Sequence, residues 1–195
     1  MKKLTYIFLA IIFSITSAAS QTGWKIDPAH SNVEFTVTHL IISEVTGRFT
    51  EFEVMLTQTK GDFTGSSIDA TINVKSVSTD NERRDKHLLT PEFFNSEKFP
   101  TITFKSTSFK SSGKDKYNIV GDLTINGITK SVTLESTFKG EAKDSYGNTR
   151  VGFKASTSIN RFDYDVKWNA PLETGGLVVG KTVDITLNIQ LIKEK

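Results

Sequence analysis

The stretch Thr182–Leu191, TVDITLNIQL, carries the decisive pattern. Val183, Ile185, Leu187, Ile189 and Leu191 fall on one parity, and Asp184, Thr186, Asn188 and Gln190 fall on the other. Successive side chains of a β-strand point to opposite faces, so strict alternation over this length reads as a half-buried antiparallel strand.

The same period of two recurs upstream. Val33, Phe35, Val37 and His39 share a face, as do Phe52, Val54 and Leu56, and then Ile68, Ala70, Ile72 and Val74. Further sets are Ile102 with Phe104, Tyr117 through Ile119, Gly121, Leu123 and Ile125, and Val132 with Leu134 and Phe138. Val151, Phe153, Ala155 and Ile159 complete the series. The reading is eight strands. Asn126-Gly127 separates two of them and suits a tight hairpin, because both turn residues need positive φ. Ser112-Gly113 and Tyr146-Gly147-Asn148 are read as further turns. This pattern predicts an all-β protein, an eight-stranded antiparallel up-and-down barrel whose closure removes unpaired edges. A two-sheet sandwich has the same strand pattern. An outer-membrane barrel alternates too, with its apolar face toward lipid. The phenylalanines lie along the strands instead of gathering in two girdles, which favours an apolar face turned inward.

Lys2 and Lys3 precede an apolar run from Leu4 to Ile15, and Ser17-Ala18-Ala19-Ser20 follows. That layout predicts a secretory signal peptide over residues 1–20, cleaved after Ala19 or Ser20, and one domain over 21–195. The run is too short for the ~20 residues of a membrane span. The expected location is periplasmic or secreted. The chain has no cysteine, so it offers neither a disulfide framework nor a lipidated N-terminal thiol. Without residues 1–20, Lys+Arg falls from 24 to 22 against 22 Asp+Glu. Nucleic-acid binding calls for a basic footprint that this balance lacks.

Residues 81–100, NERRDKHLLTPEFFNSEKFP, break the alternation. Asp80 or Asn81 can cap a helix, Glu82 to Leu89 contains good helix formers, and Pro91 ends them. The prediction is a short helical insert near 81–90, followed by an aromatic loop across one barrel end. Phe93 and Phe94 would then be either a core plug or a lid over a cavity.

Several segments carry a family resemblance: WKIDPAHSNVEFTVTHL at 24–40, GRF at 47–49, STDNERRDKHLLTPEFFNSEKFPTITFKST at 78–107, GDLTINGITKSVTL at 121–134 and GFKASTSINRFDY at 152–164. In this order they resemble the YceI-like family of bacterial lipocalin-like polyisoprenoid-binding proteins. The resemblance implies an extended eight-stranded barrel with a long apolar pore, holding an isoprenoid chain or similar amphiphile. It favours the lid over the plug. Arg84, Asp85 and His87 match the family's Arg-Asp-x-His-Leu segment. Whether they act on ligand or only on structure is left open; the structural reading is that Arg84 and Asp85 hold the insert against a neighbouring loop, with an ion pair serving structure.

Candidate ligand-contacting residues are Phe35, Val37, His39, Val54, Ala70, Ile72, Phe93, Phe94, Phe104, Leu123, Phe153, Ala155, Ile185 and Leu187. Small inward residues at mid-strand (Ala70, Gly121, Ala155) would leave space along the axis, or would make room for Phe35, Phe104 and Phe153. His30, His39 and His87 lack the spacing of a metal pair. No nucleophile elbow appears, so no catalytic residue, metal or cofactor is assigned beyond a bound isoprenoid lipid or quinone. Asn160, Arg161 and Asp163 read as a strand end and turn. The expected function is a carrier of an apolar chain, not an enzyme, with transient membrane contact. A barrel filled by its own side chains is the competing reading. Oligomeric state is open, a homodimer included.

Overall fold

The computed structural model describes residues 21–59, 61–171 and 175–195. The expected signal peptide lies outside them. The strands are β1 (Thr22–Ile26), β2 (Asn32–His39), β3 (Ser43–Phe49), β4 (Phe52–Gln58), β5 (Ser67–Asn73), β6 (Val77–Ser78), β7 (Thr101–Gly113), β8 (Lys116–Ile125), β9 (Ile128–Lys143), β10 (Thr149–Asn160) and β11 (Val179–Lys193). One helix, α1, spans Glu82–Leu88, inside the predicted insert.

These segments form eight staves of a closed antiparallel barrel. β11 closes it by pairing with β10 on one side and with β1 and β2 on the other. Trp24 lies opposite Lys193, and Val37 opposite Val183, so β1 and β2 are one stave interrupted by a turn. β3 and β4 form the next stave, and β5 and β6 the third. Closure excludes the sandwich. The inward set is the apolar one, with Val183, Ile185, Leu187 and Ile189 facing the interior.

Three breaks lie side by side where sequence reading saw continuous alternation or loop. Asp27 accepts from Ala29 N and Asn73 accepts from Lys75 N, each side chain initiating a short 3-10 turn, at Pro28–His30 and Val74–Ser76. Between β3 and β4, the N–H groups of Thr50 and Glu51 donate to Ser76. Such turns satisfy backbone groups that a straight ladder would have paired.

Asn126 and Gly127 take φ of 50° and 73°, the predicted hairpin turn. The β7–β8 turn sits later than predicted. Asp115 has φ of 56°, and Gly113, at 153°, lies at a register shift. β9 also runs past Phe138 to Lys143, because Gly140 (φ 123°) absorbs a bulge against β10 and the hairpin continues without apolar alternation.

An aromatic cluster closes the lower end. Phe63 enters from the β4–β5 loop at φ 61° and packs against Trp24, Phe138 and Phe153, with ring centroids 6.0, 5.4 and 5.1 Å away. Beside it, Arg150 donates to Asp144 at 2.8 Å and also to Asp27, which accepts from His30 Nδ1 at 2.8 Å. This clamp ties the β9–β10 hairpin to the β1–β2 turn. Burial alone would raise the Asp27 pKa, but hydrogen bonds from His30 and Arg150 outweigh it and hold the carboxyl below its ordinary value.

Candidate ligand-binding cavity

The barrel is not filled. A cavity of about 740 Å³ runs through its interior, within the ~300–1,000 Å³ usual for ligand pockets. Its two walls differ. Phe104, Ile119, Leu123, Leu134, Phe153 and Ala155 on β7–β10 are buried against neighbours. Phe35, Val37, Val54, Ile68, Ala70, Ile72, Ile185, Leu187 and Ile189 face inward yet are only half-buried. Inward apolar residues that keep exposure are surfaces with nothing packed on them; they lie mostly on β2, β4, β5 and β11, with Val132 on β9 and Ile159 on β10, while Val33, Phe52, Leu56 and Leu191 line the cavity and are buried.

The sequence-selected residues Phe35, Val37, His39, Val54, Ala70, Ile72, Phe93, Phe94, Phe104, Leu123, Phe153, Ala155, Ile185 and Leu187 all border this cavity. Gly121 does not open space. The Phe104 ring covers it, as the Phe35 ring covers Gly47.

α1 covers the upper end. Asn81 Oδ1 accepts from Arg84 N and starts the helix. Arg84 and Asp85 grip the same residue, buried Thr79. Arg84 donates to its hydroxyl at 2.7 Å and its carbonyl at 2.8 Å, and the Asp85 carboxylate accepts from its N–H at 2.8 Å. They therefore act through Thr79, and the described ion pairs do not join them to each other. Arg48 donates twice to Asp80 and fixes the chain entering the helix.

Past α1, the Glu92 carboxylate accepts from His87 Nε2 at 2.5 Å. The His87 ring stands edge-on to Phe93 and Trp168, with centroids 4.9 and 5.4 Å away. Phe94 meets Phe49 at 5.8 Å. Phe93 is thus built into an aromatic cap, whereas Phe94 is half-buried over the cavity. The lid and plug readings divide between them, while the lower plug comes from Phe63.

Arg161 is 4% exposed, and its guanidinium donates to the carbonyls of Gly180, Val166, Trp168 and Val179 at 2.6–3.0 Å. Its burial lowers its pKa. Four carbonyls hold it to the backbone that returns across the barrel top, and Asn160 caps the turn that carries it. Ser136 and Tyr164 border the cavity with buried hydroxyls that find no partner among the described residues. Burial, with Asp163 nearby, raises the Tyr164 pKa.

Sequence reading omitted Ile68, Val183 and Ile189, which share parity with the selected residues of their strands. It also omitted Trp168 and Tyr164, which stand in turns without periodicity, and read Arg161 only as part of a turn. Lys130, just past the β8–β9 hairpin, is exposed.

An inward apolar face, a closed lower end and a helix-covered mouth define a barrel of the lipocalin-like class. The YceI-like domain model matches residues 24–191, and the chain belongs to this family. It is 36% identical to protein YceI of Escherichia coli O157:H7 over 199 residues, covering both chains completely. It is 39% identical to a UPF0312 protein of Staphylococcus aureus strain MSSA476, over 83% of this chain and 92% of the other. Among solved structures, BcnA of Burkholderia cenocepacia matches with a TM-score of 0.74 at 22% identity, over 85% of this chain and 98% of BcnA. A polyisoprenoid binding domain from Saccharophagus degradans matches with a TM-score of 0.66 at 13% identity, over 88% and 98% of the two chains. At those identities the two structures speak to fold alone.

Proposed function

We propose that the barrel binds a single apolar chain, a polyisoprenoid, an isoprenoid quinone or a similar amphiphile, and carries it in the periplasm or outside the cell. The supporting observation is the unfilled cavity of about 740 Å³, with an apolar wall whose half-buried side chains lie mostly on β2, β4, β5 and β11. A barrel serving only as structure would fill that wall, since protein interiors are normally packed to crystal-like density. Each methylene transferred from water to such a surface contributes ~0.8 kcal/mol, so a long chain needs few polar contacts.

The direction of binding follows from the ends. Phe63 and its aromatic neighbours shut the lower end, whereas His39, Arg83 and His87 border the cavity at the top. The chain lies lengthwise with its polar end toward the α1 mouth. Binding, not catalysis, is the activity proposed. The test is mass spectrometry of an organic extract from protein purified without detergent. A stoichiometric long-chain isoprenoid or quinone is the expected finding. Protein free of lipid that also fails to take up an added polyprenol would leave the filled-barrel reading.

A further inference from the structure

Two hairpins in this barrel use the same kind of turn with opposite chemistry. At Asn126-Gly127 the positive φ values fall on the residues that tolerate them best. In the β2–β3 hairpin, Ile42 N donates to His39 O at 3.3 Å, and the two central residues, Leu40 and Ile41, have φ of 53° and 70°. A β-branched residue at positive φ is a steric outlier, and such outliers persist where something else selects the side chain.

What is retained is an apolar tip in solvent. Leu40, Ile41 and Ile42 are 38%, 62% and 85% exposed, and Leu177 beside them is 37% exposed. Leu40 N donates to Val178 O at 2.8 Å, and Ile41 lies against Gly176, so the tip and the 175–178 segment form one surface. That surface borders the cavity mouth directly. His39 and Val45 on the hairpin, with Val178 and Val179 opposite, all line the cavity.

We infer that the Leu40–Ile42 tip, with Leu177, inserts into the interface of a lipid bilayer and brings the cavity mouth onto the membrane. This rests on the lipid-carrier reading above for its purpose, though not for its geometry. Two observations select a bilayer over a second protein. The four side chains offer on the order of a few hundred Å², below the ~800 Å² per partner of a standard protein interface. The patch is also continuous with an apolar cavity, so an acyl or prenyl chain leaving a bilayer would cross no polar barrier beside His39. From Leu40 to Val45 the hairpin carries Glu44 and no basic residue, so the contact is assigned to apolar insertion ahead of headgroup charge.

The chain has no cysteine, so single labels can be placed in the full protein. Ile42→Cys and Tyr146→Cys would each carry an environment-sensitive dye. Tyr146 is 88% exposed on the β9–β10 hairpin at the opposite end. With vesicles of phosphatidylcholine and phosphatidylglycerol, the label at 42 should shift to the blue and be quenched by lipid-borne quenchers, at low and high salt alike. The label at 146 should not respond. No response at 42, equal responses at both positions, or a response abolished by salt would overturn the inference. So would a vesicle-independent shift that grows with protein concentration, which would assign the tip to a second copy.

Leu40→Asn with Ile41→Gly supplies the turn pair that this geometry favours, so the variant should melt no lower than wild type. Its vesicle affinity should fall about tenfold or more, while lipid uptake from detergent micelles is unchanged. Unchanged vesicle affinity contradicts the inference. Vesicle insertion at position 42 in a protein that never takes up lipid would leave the docking surface standing and remove the carrier.

Discussion

The ring of Phe104 lies across the α-carbon of Gly121, two strands of one barrel wall meeting with no side chain between them. A β-carbon there would clash with the ring and lie 2.7 Å from the Lys105 carbonyl oxygen. The pair leaves no room for a larger residue at position 121. Gly121→Ala should therefore destabilise the barrel by ~1–3 kcal/mol, as overpacking does. Denaturant titration would measure it, and a neutral effect would show that the ring is free to move.

The two small residues at mid-height should behave differently. Ala70 is half-buried on the open wall, whereas Ala155 is 6% exposed on the packed one. In Ala70→Trp the indole occupies ligand space, so the protein should remain folded and lose uptake of an apolar chain. Ala155→Trp forces atoms into a filled wall and should cost ~1–3 kcal/mol or more. Paired melting curves and uptake assays would check the contrast.

Phe93 and Phe94 should likewise separate. Phe93→Ser breaks the cap with His87 and Trp168 and should lower stability by ~3–5 kcal/mol, the range for aromatic truncation in a core. Phe94→Ser should cost less and speed ligand release, read as an increased off-rate of a fluorescent polyene. Equal off-rates in Phe94→Ser and wild type would remove Phe94 as a gate.

Asp27 supplies a pH dependence with a definite sign. Its folded pKa lies below the ordinary value of 3.8, so its contribution is present above that value and is lost as pH falls through the folded pKa. Asp27→Asn should be about 1–3 kcal/mol less stable at neutral pH, because Arg150 loses a carboxylate partner. The gap to wild type should close as acid protonates Asp27. Melting curves at a series of acidic pH values would reveal a gap that fails to close.

The barrel was legible because alternation from Val33 to Leu191 names the strands and sorts their two faces, and the phenylalanines spread along the strands favoured an apolar interior. Helix α1 was legible from the loss of that period and from the Asn81 cap. The three strand breaks were not, since Asp27 and Asn73 act through local hydrogen bonds that leave little trace in hydropathy, and Ser76 meets Thr50 and Glu51 only in the fold. The cavity wall was readable by parity, but its emptiness was not. Gly121 and Ala155 could be read as space or as room for aromatic rings, and only packing shows that Phe104 takes the first. Phe63 and Trp168 close the ends from loops, where no period announces a core residue. Arg84 and Asp85 stood out as a pair, but their meeting point, Thr79, is a contact that only the fold creates.

A cavity that holds one apolar chain should travel with that chain through purification. Native mass spectrometry of wild type and Ala70→Trp, both isolated from cells without detergent, reads this out. One lipid-sized adduct is expected on wild type, released on activation, and none on a folded Ala70→Trp. Bare wild-type protein, or an adduct that persists at full occupancy in Ala70→Trp, would contradict it.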